Sequence, residues 1–510
     1  MGRRTRLCRR AGILAMVSLC VWPVQAQSAR PLANAGSGEI QVLREEFHKE
    51  LSAVRAENAD LRKRLDNYEQ ARGIEHKRIE DIELKVEQSE GLNAGYDKNF
   101  YIKSSDDLFR LDLSGFMQLQ GNFYENNKVP RRAEPVFNTG LGGVNRDDTF
   151  FIRRIRVKFG GNVVTKNLTW AVEAEYGGNN LALRDAFINY KWNDHAQLKM
   201  GQFKGPFSRE ALISDSDIET IERATIVALL GLDRRVGVQF YGDVLGGRLS
   251  YALMIANNLG FGGAGTNTSD QNDEKAYIGR LVAKPFLKSD NEWINDLEFS
   301  VAAGTGVEGP PSATSGLTVT DIVQGVPNQR NPVANTVPFI GGRQTQFDAG
   351  LSWQIDRWHL QGEYLHARVN RRDVPVMTMV PFGALPFHPI TISGGYIQLS
   401  YVALEKPGWT IVPVIKYETL QVGGDNMTDT FVFTPSLGKA VPGRFVSPVE
   451  FSNDVQAFTL GATWFINPKF KVMGNWIFEK VGEDLIGGTR LRQGETRDQN
   501  IIMIRTQLKF

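Results

Sequence analysis

From Gly91 onward the chain alternates apolar and polar residues at period two, in runs of about 9–11 residues that suit membrane-embedded strands. The last run shows the pattern. Ile502, Ile504, Thr506, Leu508 and Phe510 fall on one face of a strand, and Met503, Arg505, Gln507 and Lys509 fall on the other. About sixteen such runs are expected, from Leu108–Tyr124 and Phe150–Gly161 to Lys469–Val481 and Asn500–Phe510. The connections between them alternate in length. Asn193–Asp194–His195, Leu245–Gly246 and Asn467–Pro468 are short, whereas Glu125–Thr149, Gly205–Asp233 and Val307–Gly342 are long and rich in turn-forming residues. A soluble sandwich gives no reason for every second loop to be long. A closed antiparallel transmembrane β-barrel does, with short periplasmic turns, long outer loops and an even strand number.

Residues 39–90 have another texture, charged and nearly free of Gly and Pro. Ile40, Phe47, Val54, Leu61, Tyr68 and Ile82 recur at heptad-compatible spacing, with Leu51, Asn58, Leu65, Ile79 and Val86 in the second seam position. Arg72 and Glu75 interrupt the seam near Gly73. The pattern predicts an α-helical coiled coil, read as a periplasmic stalk joining copies of the chain, plausibly three, with Asn58 fixing register.

The first residues predict export. Five arginines precede an apolar run from Ala11 to Val21, and Val24-Gln25-Ala26 offers a small-residue cleavage site. Residues 1–26 are therefore expected to be a signal peptide, 27–38 and 91–107 linkers, 39–90 the coiled coil and 108–510 the barrel. Both cysteines, Cys8 and Cys20, lie in the signal, so thiol chemistry drops out of the mature chain. Losing those five arginines takes the formal charge from +2 to −3, which speaks against a nucleic-acid partner. Any preference for anions must be local. The mean hydropathy of −0.27, with 51 glycines and a 10% aromatic fraction, suits strands with one apolar and one wet face.

Charge on the lipid face costs about 2–4 kcal/mol at the midplane, so charged strand residues are expected to face the lumen. On Phe151–Phe159 this stacks Arg154, Arg156 and Lys158 up the inner wall at ~6.8 Å intervals, a ladder of weak sites for a permeating anion. The alternative is that Glu173 and Glu175 of the next strand neutralise them. The third long connection opens at Lys204 and carries Arg209. A long loop at this place in a barrel can fold back into the lumen, which makes both residues candidates for the constriction. Asp215, Asp217, Glu219 and Glu222 on the same loop argue against a purely cationic eyelet. Arg235, Arg280 and Arg505 complete the candidates, each either lining the path or pairing with a wall carboxylate. The six histidines are scattered, and no metal-ligand, cofactor-binding or nucleophile–base spacing is found, so neither an enzyme nor a cofactor is expected.

The segments Arg153–Gly161 (RRIRVKFGG), Asp185–Trp192 (DAFINYKW), Leu198–Glu210 (LKMGQFKGPFSRE) and Asp233–Val238 resemble the phosphate-selective porin O and P family. The resemblance spans roughly Phe100 to Phe510. It implies a sixteen-stranded trimeric outer-membrane channel for phosphate or pyrophosphate, guided by Arg154, Arg156, Lys204 and Arg235. The acidic third loop departs from that pattern. Small inorganic anions and outer-membrane lipid are the expected partners. Two other readings are a non-specific diffusion porin and a structural anchor whose coiled coil tethers the envelope.

Overall fold

The computed structural model describes residues 37–88, 91–125, 148–177, 180–259, 273–308, 316–320, 332–338, 340–371, 389–427, 449–481 and 497–510. The expected signal peptide and most of the long loops lie outside these residues. The chain divides into two compact units, Met1–Ser89 and Glu90–Phe510.

In the first unit Ser37–Gln88 forms one 52-residue helix, α1, about 78 Å long at 1.5 Å per residue. Straight-chain helix formers fill it, and Gly73 is the one glycine between residues 39 and 88. Asp60 and Arg64 pair at 2.8 Å one turn apart. Phe47, Val54, Leu61 and Tyr68 recur every seven residues, and each is more than half exposed on the single chain.

The second unit is a closed antiparallel barrel of sixteen strands. In chain order these are β1 (Arg110–Glu125), β2 (Thr149–Val163), β3 (Thr165–Gly177), β4 (Asn180–Asn193), β5 (Ala196–Lys204), β6 (Arg234–Val244), β7 (Leu249–Ala256) and β8 (Ala276–Ala283). The circuit continues with β9 (Glu298–Glu308), β10 (Ile340–Ile355), β11 (Trp358–Arg371), β12 (Ile390–Tyr401), β13 (Trp409–Met427), β14 (Val449–Asn467), β15 (Phe470–Val481) and β16 (Arg497–Lys509). Each expected run of alternation corresponds to one of them. The β16–β1 pairing, from Asn500 opposite Glu125 to Lys509 opposite Phe116, closes the circuit and leaves no edge. At the end of this seam Gly115 and Phe510 exchange both backbone hydrogen bonds at 3.0 Å. A Cβ on residue 115 would lie 2.6 Å from the Phe510 ring, so glycine is needed there.

Residues 91–107, expected as a linker, carry a hairpin, Leu92–Tyr96 with Phe100–Ser104. Its second strand pairs with Arg110–Leu113 and covers the stretch of β1 that lies beyond the reach of β16. Alternation sorts the faces as expected. On β16, Met503, Arg505 and Gln507 are buried inside, whereas Ile504 and Leu508 are exposed outside. Aromatic pairs mark both ends of the outer band. Tyr190–Trp192 and Trp358–Tyr401 lie toward the short turns, and Phe123–Phe150 and Trp476–Phe478 toward the long loops.

One stretch of inner wall breaks the wet-lumen rule. Leu365 and Val369 of β11, Ile390 and Ile392 of β12, and Leu420 and Val422 of β13 all point inward and are fully buried. The third long connection covers them. Its helix α3 (Thr225–Leu230) packs Ile226, Val227, Leu229 and Leu230 into the same apolar cluster, at roughly 1.5–3 kcal/mol per buried aliphatic side chain.

Candidate functional site: the lumen and its inward loop

The loop Gly205–Asp233 crosses the lumen, and the wall holds it at many points. Ser208 caps the short helix α2 (Arg209–Leu212) by accepting from the Ala211 N–H. Glu363 of β11 sits over the same helix end and accepts from Ser208 Oγ at 2.6 Å, from the Arg209 N–H at 2.9 Å and from the Glu210 N–H at 2.6 Å. Glu418 of β13 does the same for α3, accepting from the Thr225 N–H and hydroxyl at 3.1 and 2.8 Å. A carboxylate beside the open N–H groups of a helix start is favourable for both.

Four acidic residues of the loop each meet a group on the wall. Asp215 pairs with Arg154 and Arg156 of β2 and with Arg223 of the loop itself. Asp217 meets Lys509. Glu219 receives His359 at 2.6 Å and Gln398 at 2.5 Å. Glu222 receives Arg153 at 3.0 and 3.1 Å and Arg505 at 2.6 Å. Burial alone would raise these carboxyls. Arg154, Arg223 and Arg156 nevertheless hold Asp215 well below the usual range, and Arg153 and Arg505 pull Glu222 down to about 2. Glu210 is the exception. Burial pushes it up to about 7, with the Glu363 carboxylate adding to the rise and Lys416 and Arg223 opposing it.

Arg153 reaches Glu222 because β2 carries a bulge. Gln118 faces Arg154 while the next residue, Leu119, faces Ile152, which leaves Arg153 as the extra residue. A second bulge between Glu173 and Ala174 leaves Arg184 over on β4. Arg184 turns to Glu175 and, at 3.1 Å, to Asp233. Each bulge re-aims an arginine into the lumen, something strict alternation does not foresee.

The expected site residues separate into two groups. Arg154, Arg156 and Arg505 are buried, at 5%, 3% and 0% exposure, and are engaged by Glu175, Asp215, Glu222 or Gln120. Arg235 is buried too and donates to the Leu259 and Arg234 carbonyls. Arg209 reaches across to Glu298, Gln361 and Ser352. By contrast Lys158, Lys204 and Arg280 are half-buried and border a single cavity of about 410 Å³. Lys204 donates to the Ala211 and Ile213 carbonyls, both at 2.7 Å, and so fixes the rim of the loop.

A fourth cation, Lys199 of β5, faces this cavity as well. Its Nζ lies 4.8, 5.2 and 5.1 Å from the ring centres of Phe187, Phe203 and Tyr241. A lysine in the middle of a nine-residue strand has only the lumen to point to, and that signal is present in the sequence. Among the described residues, no carboxylate lies within ion-pair distance of Lys158, Lys199 or Arg280. Of the two carboxylates on the cavity wall, Asp185 is engaged by Arg234 at 3.0 Å, and Asp243 accepts from Ser250 at 2.6 Å.

Comparison with curated proteins returns no match. Among solved structures the chain is similar to OmpT, an outer membrane protein of Vibrio cholerae, at 10% identity and TM-score 0.47 over 79% of this chain and 97% of that one. It is similar to an anion-selective porin from Comamonas acidovorans at 12% identity and TM-score 0.44, over 78% and 99%. The outer membrane channel DcaP of Acinetobacter baumannii aligns at 11% identity and TM-score 0.42, over 78% and 97%. The family model of phosphate-selective porin O and P matches residues 136–408, from the first long loop to the turn before β13. On this match the chain belongs to the phosphate-selective porin O and P family, and it is an outer-membrane β-barrel channel.

Proposed function

We propose that the protein passes small anions, phosphate and pyrophosphate among them, by passive diffusion through a lumen narrowed by the loop Gly205–Asp233. The path runs past Lys158, Lys199, Lys204 and Arg280, on the side of the barrel formed by β2 and β4–β8. One observation carries this reading. Among the described residues, the accessible cations at the cavity have no carboxylate partner, whereas the buried arginines of the β2 column do. Partnerless cations on a low-dielectric wall attract and pass anions. Arg154, Arg156 and Arg505 then act as anchors of the loop, and Arg209 and Arg235 brace its two flanks. Reversal potentials across planar bilayers in a KCl gradient test the reading. Anion preference is expected, reduced when Lys158, Lys199 and Arg280 are replaced together by Gln. A cation-preferring wild type, or a triple variant with unchanged preference, overturns it.

The remaining parts of the reading concern assembly. Residues 1–26 direct export, and α1 stands in the periplasm as one strand of a coiled coil. Three copies then bury the seam that Phe47, Val54, Leu61 and Tyr68 leave exposed on one chain.

A further inference from the structure

The cavity that carries the proposed path is only partly a cationic site. Phe187, Phe203 and Tyr241 contribute rings to its wall, with Pro206 and Leu212 adding apolar surface from the loop. The one phenol group is already committed. The Tyr241 hydroxyl lies 2.9 Å from Asn189 Oδ1 and 3.0 Å from Gln197 Oε1. What these residues offer a solute is therefore mainly ring surface. Phe187 and Phe203 pack edge to face at 6.1 Å, and the Lys199 ammonium sits against both and against Tyr241. Its charge is thus set in an aromatic surround in place of a carboxylate or a carbonyl cage.

Two anion chemistries meet this wall differently. Inorganic phosphate is strongly hydrated and is best matched by the parallel donors of guanidinium groups. The β2 guanidinium groups that could supply them, on Arg154 and Arg156, are held by Glu175 and Asp215. A carboxylate carried on a ring can place its charge at Lys199, Lys158 or Arg280 while its apolar body replaces water against Phe187 and Phe203. A volume of about 410 Å³ lies in the range of small-ligand pockets.

Building on the anion-channel reading, we propose that this cavity is a binding site for monocyclic aromatic carboxylates, which it takes in preference to inorganic phosphate. The full-length protein in planar bilayers tests it, with benzoate, acetate and phosphate added in turn to a chloride current. Benzoate is expected to halve the current at a concentration about threefold to tenfold below that of acetate or phosphate. Phe187→Ala is expected to close that gap, and Lys199→Gln to weaken block by all three anions. Phosphate blocking at or below the benzoate concentration overturns the inference, as does a benzoate advantage that survives both substitutions. Either outcome leaves the anion-channel reading standing. A cation-preferring reversal potential instead removes that reading and the inference with it.

Discussion

Asp215 holds three guanidinium groups at once, those of Arg154, Arg156 and Arg223. Removing one partner from a buried ion cluster leaves the others charged and uncompensated, at a cost of about 3–5 kcal/mol. Asp215→Ala is therefore expected to lower the thermal unfolding midpoint of the detergent-solubilised protein clearly, where an exposed Asp194→Ala leaves it nearly unchanged. Glu210 gives a pH dependence. Its carboxyl is raised from an ordinary 4.5 to about 7 when the loop is seated, chiefly by burial, with Glu363, Lys416 and Arg223 as its charged neighbours. The seated loop thus holds a proton that a released loop gives up. The Glu210 contribution to seating weakens as pH rises through that interval, levels off above it, and is constant below it, where both forms of that carboxyl are protonated. Asp215 and Glu222 stay ionised throughout the interval because their carboxyls are lowered. Channel conductance is expected to rise from about pH 4.5 to about pH 7, and Glu210→Gln to remove that rise. Much at this scale was readable in advance. Glu173 and Glu175 are legible in the sequence as the alternative to an open anion ladder, because an inward charge needs a neighbour. Asp215 is not, since its contact depends on how a loop folds back over tens of ångströms. Arg153 was hidden by the bulge that re-aims it.

The strands were legible because a barrel wall imposes period two on every one of them, and a charge in the wrong register is expensive. The loop Gly205–Asp233 was legible only as a long connection with mixed charge. Its two short helices, and the glutamates Glu363 and Glu418 that receive them, arise from pairings across the lumen that no local pattern encodes. The segment Ser208–Leu230 carries five carboxylates against two arginines, and it covers much of the cationic wall. Replacing it with a short Gly-Ser bridge is therefore expected to raise single-channel conductance and to strengthen anion preference, because Arg153, Arg154, Arg156 and Arg505 are then uncovered. Unchanged conductance would mean that the loop does not limit the path.

For the whole molecule, the two units answer different physical demands. The barrel satisfies its backbone internally and needs only lipid around it. The 52-residue helix has no such closure, since its heptad residues Phe47, Val54, Leu61 and Tyr68 stand in water on a single chain. Deleting residues 37–88 is expected to shift native electrophoresis from trimer toward monomer while each barrel still conducts. Persistence of the trimer would place the assembly contacts on the barrel wall.

Glu222 binds an arginine on each side of the barrel seam, Arg153 from β2 and Arg505 from β16, with β1 between them. These partners are 69 and 283 residues away along the chain. A carboxylate shared in this way finds both arginines only once the last strand has zipped onto the first. The closing strand and the seated loop therefore reinforce one another: the Arg505 half of this clamp exists only in the closed circuit.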